Sequence, residues 1–164
     1  MPRTSYAIAL GSNRRHGRHG PPPRVIAAAL DALEQAGVRV IARSPIIATP
    51  AVGPAGRGFA NAAAIVESDL APPALLTLLK RIERAFGRRP GRRWGARVLD
   101  LDIILWSGGS WPPFPRRAGP GRLAVPHRAF AARAFVLDPL LRVAPGWRHP
   151  LNGRTVRQMR ARLR

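Results

Sequence analysis

The chain has 164 residues, of which 46% are hydrophobic, and it carries a formal net charge of +20 at pH 7. This length suits one domain, and the apolar fraction is large enough for a buried core and too large for general disorder. A basic balance usually indicates a polyanionic partner such as nucleic acid or an acidic membrane. Here a single lysine accompanies arginines that are spread from Arg3 to Arg164 among many Ala, Gly and Pro residues, so we attribute the charge to a compositional bias.

Cysteine is absent, which excludes disulfides and thiolate metal sites. The apolar run at 6–10 is too short for a secretory signal, and no run approaches 18 consecutive apolar residues. We therefore expect a cytoplasmic protein with no membrane partner.

The first half of the chain predicts a strand, a helix and further β segments. Residues 5–10 predict the first strand, which the run Gly11-Ser12-Asn13 interrupts before a basic, proline-rich loop. Apolar residues from Val25 to Ala36 recur at helical spacing, and Gly37 is placed as a C-terminal cap. The next β segments are expected at 38–44, 46–48 and 59–67, with an irregular loop at 49–58.

A second helix opens at Pro72-Pro73 and ends at Gly87. Its apolar stripe consists of Leu75, Leu79, Ile82 and Phe86, with Lys80 and Glu83 off that stripe. The strand that contains Asp100 and Asp102 then completes the order strand, helix, strand, strand, helix, strand. That order predicts an α+β fold of the ferredoxin-like, split β-α-β type with helices on the outside.

The last third of the chain is less regular. The segment 107–122 is rich in glycine, proline and arginine, which predicts a flexible excursion within one domain. A short apolar segment at 135–141 follows. A terminal helix with Val156, Met159 and Leu163 facing inward would add to the fold at its C-terminal end.

Asp100 and Asp102 stand two residues apart in a stretch that is otherwise typical of a buried strand. Because strand side chains alternate, both carboxylates project from one face, with Leu99, Leu101, Ile103 and Leu105 on the other. Their Cα atoms lie roughly 6.5 Å apart at strand rise, which suits a metal pair ~3.5 to 4 Å apart as in two-metal phosphoryl chemistry. Alternatively, the aspartates face solvent, or Arg92, Arg93 and Arg97 neutralise them as ion pairs. The residues alone leave these alternatives open.

In this order the segments resemble the pterin pyrophosphokinases of folate biosynthesis, which move a diphosphate from ATP to 6-hydroxymethyl-7,8-dihydropterin. The resemblance spans nearly the whole chain and implies a single domain over 1–164, ferredoxin-like with extra helices. Four blocks carry it: 6–13; 59–63; 81–83 with 87–88 and 93–102; and 125–127 with Arg133 and 135–140.

The resemblance implies a role for each matching residue. Asp100 and Asp102 would hold two Mg²⁺ ions, and Arg88 and Arg97 would be catalytic, although either arginine could simply pair with Asp100 or Glu83. The positions matching ATP contacts are Lys80, Glu83, Trp94, Ile103, Arg122, His127 and Arg133. The positions matching pterin contacts are Thr49, Pro50, Val52, Phe59, Asn61 and Phe135, and Trp94 also matches an aromatic position of the pterin pocket. Ordinary core, turn or surface roles are the alternative at these positions, as is a helix ion pair for Lys80 with Glu83.

The chain departs from the usual family pattern at Phe59, Lys80, Ala96 and Ala124. None of these differences removes an acid, a metal ligand or a catalytic arginine. The loop at 88–93 is short and the segment 107–122 is long for the family, and loops at such positions would close over ATP.

Two functions of other classes are the alternatives to the enzyme. A basic RNA-binding domain also fits a split β-α-β fold, but the chain lacks an aromatic-rich RNA-binding strand and has one tyrosine, Tyr6. An inactive relative that only binds a partner is disfavoured by the intact set of acids, arginines and His127. We therefore predict a monomeric enzyme that acts on ATP and the pterin without a nucleic-acid partner.

Overall fold

The computed structural model describes residues 2–49, 58–87 and 97–163. Within these residues the chain forms a five-stranded sheet, four α-helices and one 3-10 turn. The elements are β1 (Thr4–Ser12), α1 (Pro22–Gln35), β2 (Arg39–Arg43), β3 (Ile47–Thr49), β4 (Phe59–Ser68), α2 (Pro72–Ala85), β5 (Asp100–Trp106), the 3-10 turn (Phe130–Ala132), α3 (Ala134–Val143) and α4 (Val156–Ala161).

The sheet has the strand order β2-β4-β1-β5, with the short β3 beside β4, and every pairing is antiparallel. Strand β4 therefore lies between β1 and β2, which α1 connects, and this is the split β-α-β arrangement. The predicted ferredoxin-like α+β fold is confirmed. Strand β5 occupies one edge of the sheet.

Helices α1 and α2 begin where the sequence places proline in the first turn, a position without an intrahelical partner for the N–H group. Each ends just before a glycine in the left-handed region, Gly37 at a φ of 87° and Gly87 at a φ of 98°. Both predicted helices are thus confirmed, although α1 begins three residues earlier than Val25.

The two faces of the sheet carry separate cores. On the first face, Ile8 and Leu10 of β1 pack with Leu33 of α1 and Leu79 of α2, and full burial of one such side chain contributes about 1.5 to 3 kcal/mol. On the second face, Ala7, Ala63 and Leu105 pack with Leu137 and Leu140 of α3 and with Met159 of α4. The C-terminal helices therefore cover the face opposite α1 and α2, as the prediction of additional helices required.

Two strand predictions need correction. Strand β1 does not stop at Leu10, because Gly11 and Ser12 pair in register with Asn61 and Ala60 of β4. Strand β5 contains a bulge: Ala7 pairs with Leu105, and the next residue, Ile8, pairs with Ile103. The extra residue reverses the alternation. Leu105 therefore lies in the second core and not on the face of Leu101 and Ile103.

The segment 107–122 forms no helix or strand, and it is tied to the rest of the chain at both ends. Trp111 exchanges two backbone hydrogen bonds with Val125, and the guanidinium of Arg128 donates to the carbonyls of Ala118 and Gly119. Trp111 also packs edge-on against Trp106 at the end of β5. Among the described residues, no helix is long and apolar enough to cross a bilayer.

Candidate active site

Asp100 and Asp102 lie on the second face of β5, beyond the part that α3 and α4 cover. Asp100 is opposite Gly11 and Asp102 is opposite Ala9 of β1, and Leu101 between them is buried in the first core. Both aspartates are half-buried. The predicted sharing of one face by the two carboxylates is therefore confirmed.

Arg97 lies just before β5 and points its guanidinium at the first of these carboxylates. Its Nη1 is 3.3 Å from Oδ1 of Asp100, and both side chains are about one-third exposed. The backbone of Arg97 is held by Asn13: the Arg97 N–H donates to Asn13 Oδ1 at 2.6 Å, and the Asn13 N–H donates to the Arg97 carbonyl at 3.0 Å. The end of β1 thus sets where Arg97 stands relative to Asp100.

Glu83 is fully buried, which differs from the expectation that it lies off the apolar stripe of α2. Its carboxylate accepts a hydrogen bond from the backbone N–H of Leu101 at 2.7 Å and another from Lys80 Nζ at 3.2 Å. A carboxylate inside a protein needs such donors, because burial without them is costly. Glu83 therefore holds β5 at the residue between the two aspartates.

His127 lies beside the outer edge of β5, where its backbone N–H donates to the backbone carbonyl of Ile104 at 3.0 Å. Ile103 is thus placed between the Glu83 contact at Leu101 and the His127 contact at Ile104. Burial lowers the pKa of His127, the Arg133 cation lowers it further, and the Asp100 carboxylate opposes the shift. The ring Nδ1 accepts from the Ala129 N–H at 3.2 Å, so the neutral ring carries its proton on Nε2.

Asn61 and Phe59 lie on β4 and face the same side of the sheet as the two aspartates. Asn61 is opposite Gly11 on β1 and Ile47 on β3, and Phe59 is opposite Thr49. About half of the Phe59 side chain is exposed, as is Phe135 at the start of α3. The Arg133 guanidinium lies 5.8 Å from the Phe135 ring centroid. Two large aromatic side chains exposed on one side of the sheet are unusual for a core role and suit a ligand surface.

Several predicted site residues have other surroundings. Arg122 is exposed within the segment 107–122, and Thr49 is exposed at the end of β3. The predictions for Pro50, Val52, Arg88 and Trp94, and the ion-pair alternatives for Arg92 and Arg93, fall outside the described residues. The segment 107–122 also lines a cavity of about 590 Å³ together with His127 and Arg128.

The donor set at Asp100 and Asp102 fits a hard divalent cation. Carboxylate oxygens are the ligands Mg²⁺ prefers, and it is usually bound by one or two of them together with substrate phosphates. No group of three or more His, Cys, Asp or Glu side chains forms a cage among the residues that the structure describes. Two aspartates beside an arginine therefore suit a cation that arrives with a phosphorylated ligand.

Three residues here could not be assigned their geometry from sequence alone. Asn13 was expected to interrupt a strand and to belong to the matching block 6–13, and neither expectation indicated that it holds the backbone of Arg97. Glu83 carried a usable signal, because it stands four residues after Leu79 and eight after Leu75 and so shares their side of the helix. Gly11 gave no signal of its own, since its importance depends on the register of β1 between β4 and β5.

The fold and the site together define a ferredoxin-like α+β protein with an acidic pair beside the guanidinium of Arg97. A family model described as 7,8-dihydro-6-hydroxymethylpterin-pyrophosphokinase matches residues 7–145. The chain therefore belongs to the 7,8-dihydro-6-hydroxymethylpterin-pyrophosphokinase family, as the sequence resemblance predicted.

Similar proteins agree with this assignment. A 2-amino-4-hydroxy-6-hydroxymethyldihydropteridine pyrophosphokinase of Methylorubrum extorquens is 37% identical over 162 residues, covering 98% of this chain and 94% of that protein. One of Pseudomonas aeruginosa with the same name is 43% identical over 145 residues, covering 87% and 82%. A crystal structure described as HPPK-DHPS in complex with substrates aligns with a TM-score of 0.71 at 12% identity, over 98% of this chain and 45% of that one. At that identity the structural likeness supports the fold alone.

Proposed function

We propose that this protein transfers a diphosphate from ATP to the hydroxymethyl group of 6-hydroxymethyl-7,8-dihydropterin, a step of folate biosynthesis. The products are AMP and the pterin diphosphate. The observation that carries the proposal is the position of Asp100 and Asp102 on one face of β5. Asp100 also contacts Arg97 and is in register with Asn61 across Gly11. A cation-binding pair and an amide suited to a heterocycle thus share one surface.

Asp100 and Asp102 are the proposed ligands of two Mg²⁺ ions. When bound there with ATP, these ions would neutralise charge on the phosphate oxygens and help to orient the β-phosphate. Two half-buried carboxylates so close together repel each other, and neighbouring cations relieve that repulsion. The Arg97 guanidinium already relieves part of it at Asp100.

In the proposed reaction the pterin hydroxyl oxygen attacks the β-phosphorus, and the bond from that phosphorus to the α–β bridging oxygen breaks. The hydroxyl proton is released to solvent, and AMP leaves with the bridging oxygen. Phosphoryl-type transfer depends mainly on positioning and on stabilisation of charge. Arg97 and Arg88 are proposed to supply that charge, because a guanidinium can bind phosphate oxygens in bidentate fashion.

ATP is proposed to bind along the outer edge of β5. The Ile103 side chain is buried in the first core and Ile103 pairs with Ile8 of β1, so only its backbone could meet ATP. On either side of Ile103, the Leu101 N–H bonds to Glu83 and the Ile104 carbonyl to His127, at the edge of β5 away from β1. His127 would donate from Nε2 to a phosphate or ribose oxygen, with Arg133 adding positive charge nearby. Glu83 would act through its hydrogen bond to Leu101. The further proposed ATP contacts are Lys80, Trp94 and Arg122.

The pterin is proposed to lie across the second face of the sheet. Asn61 offers both a donor and an acceptor, as the amide-like edge of a pterin requires. Phe59 and Phe135 are exposed aromatic rings that suit the two faces of a flat heterocycle. Thr49, Pro50 and Val52 are proposed to meet the same edge of the pterin as Asn61.

The test is to incubate the purified protein with Mg²⁺, ATP and 6-hydroxymethyl-7,8-dihydropterin and to separate the nucleotides by chromatography. We expect AMP that forms only when the pterin is present. Formation of ADP would show attack at the γ-phosphorus and overturn the mechanism. Absence of any product would return weight to an inactive relative or to an RNA-binding domain.

The cytoplasmic location and the monomeric state stay predictions. Size-exclusion chromatography with light scattering tests the second of them directly. A mass of one chain would agree with the prediction, and a stable dimer would contradict it.

A further inference from the structure

Gly11 stands between the proposed acceptor site and the proposed metal site. It is opposite Asn61 on β4 and, on its other side, opposite Asp100 on β5. Neighbouring strands lie about 4.8 Å apart, so the backbones at Asn61 and Asp100 are separated by roughly 10 Å. The residue facing the same way one pleat further along β1 is Ala9. The sheet surface between the amide and the carboxylates therefore has a floor of two small residues.

A side chain at position 11 would project into this floor. A Cβ built on Gly11 lies 3.3 Å from Oδ1 of Asn61 and 4.0 Å from the carbonyl oxygen of Ala60. The first separation is tighter than ordinary van der Waals contact, so the Asn61 amide would have to move. Even one methyl group therefore reaches the side chain proposed to bind the pterin.

The backbone itself does not call for glycine at this position. Gly11 is not among the described glycines with positive φ, and its pairing with both neighbouring strands is regular, without a bulge. Glycine inside a strand costs about 0.5 to 1 kcal/mol relative to alanine. A strand glycine without a bulge marks a place where a ligand or another backbone approaches closely. The close approach of the Asn61 side chain, which a Cβ would crowd, is therefore the reason for glycine at this position.

We propose that Gly11 determines acceptor specificity by keeping the floor between Asn61 and Asp100 free for a flat heterocycle with a short arm. This inference rests on the proposed function. A side chain at position 11 would lift the ring from the sheet or displace the Asn61 amide. Donor binding would be spared, because Glu83 and His127 lie on the edge of β5 that faces away from β1.

The test compares Gly11→Ala and Gly11→Val with the unchanged protein. We expect the acceptor KM to rise about tenfold for alanine and further for valine, since one added carbon in a fitted site changes discrimination by about 10 to 200-fold. The ATP KM is expected to stay within about twofold. Acceptor affinity is also measured directly from pterin fluorescence in the presence of a non-hydrolysable ATP analogue.

The matched control is Gly146→Ala, because Gly146 also lacks a positive φ and a Cβ there meets no described atom within 4 Å. Binding of the ATP analogue with unchanged affinity shows that each variant is folded. Unchanged acceptor affinity in Gly11→Ala and Gly11→Val, or an equal loss for both substrates, would overturn the proposal. Failure of the proposed function would look different, because the unchanged protein would then make no pterin-dependent AMP.

Discussion

Asn13 and Arg97 are 84 residues apart in sequence and are joined by two hydrogen bonds, one in each direction. The amide side chain of Asn13 accepts from the Arg97 backbone, and the Asn13 backbone donates to the Arg97 carbonyl. The clamp connects the end of β1 to the start of β5 and sets the reach of the Arg97 guanidinium toward Asp100. Asn13 is therefore a positioning residue for a proposed catalytic arginine.

Replacement of Asn13 by alanine removes one of these two bonds and leaves Arg97 less well placed. We expect kcat to fall by up to about a hundredfold, the loss typical of a misplaced catalytic group, with little change in either KM. Steady-state kinetics test this. Asn152→Ala is the matched control, because Asn152 also accepts from a backbone N–H, that of Arg154, on an exposed turn. Equal losses in both variants would contradict the positioning role.

Asp100→Ala and Asp102→Ala are each expected to lower transfer by about a thousandfold or more, since each removes a proposed metal ligand. Neither change should unfold the protein, because each relieves repulsion between carboxylates. The measurements are AMP formation and Mg²⁺ affinity by calorimetry in the presence of an ATP analogue. Asp31→Ala, at an exposed position of α1, is the control. Normal turnover by Asp100→Ala or Asp102→Ala would contradict the assignment of these residues as metal ligands.

Asn61→Ala should raise the KM for the pterin by about ten to a hundredfold while the KM for ATP stays nearly constant, because a buried polar edge of the ligand loses its partner. The control is Asn152→Ala. A rise of the same size in both Michaelis constants would argue that Asn61 supports the sheet and does not bind the pterin.

Glu83→Ala is expected to lower the free energy of unfolding by about 1 to 3 kcal/mol, because the Leu101 N–H loses its acceptor in a buried place. Glu34→Ala provides a close comparison. Glu34 also accepts from a strand N–H, that of Val40, at 2.8 Å, but it is exposed, so water can replace it. Its loss should cost less than about 0.5 kcal/mol. Urea unfolding of both variants measures the two losses of unfolding free energy. Losses of similar size would contradict the role of burial at Glu83.

His149 should make stability depend on pH. Burial lowers the pKa of His149, whose ring stacks on Phe130 at 5.9 Å between centroids. Its folded-state pKa thus lies below the unfolded value of about 6.5, so the unfolded chain binds more protons as the solution is acidified. The contribution of neutral His149 to the free energy of unfolding is complete above the unfolded-state pKa. It is lost as the pH falls below that pKa toward the lower folded-state pKa. In His149→Phe, the unfolding free energy should decline less between pH 7 and pH 5 than in the unchanged protein. Part of the decline should remain, because the pKa values of His127 and His19 are also lowered. An unaltered slope in the variant would show that His149 does not contribute.

The periodicity of apolar residues was sufficient to predict most of the helices and strands. It did not predict features that depend on the pairing of two strands. The helical spacing of Leu75, Leu79 and Ile82 and the two-residue spacing of Asp100 and Asp102 are properties of single segments, and both predictions hold. The bulge that moves Leu105 to the second core depends on the partner strand β1, so no period within β5 indicates it.

The site shows the same division. Asp100 and Asp102 could be singled out because carboxylates in an apolar strand are unusual, whereas the role of Arg97 came from the family resemblance. The spacing of Glu83 from Leu75 and Leu79 indicates the buried side of α2, but its partner could not be inferred. A buried carboxylate is stable only with a donor such as the Leu101 N–H, and that donor is 18 residues away. The position of Gly11 between Asn61 and Asp100 likewise follows from register across three strands.

The contacts along β5 also bear on how this protein behaves in concentrated solution. An edge strand exposes unpaired N–H and C=O groups that can template pairing with a second molecule, and proteins commonly cover such edges. On β5 the Leu101 N–H is taken by Glu83 and the Ile104 carbonyl by His127. These two contacts lie on either side of the proposed nucleotide position, and they reduce the number of edge groups that could pair with a second molecule. A nucleotide bound there would cover more of this edge.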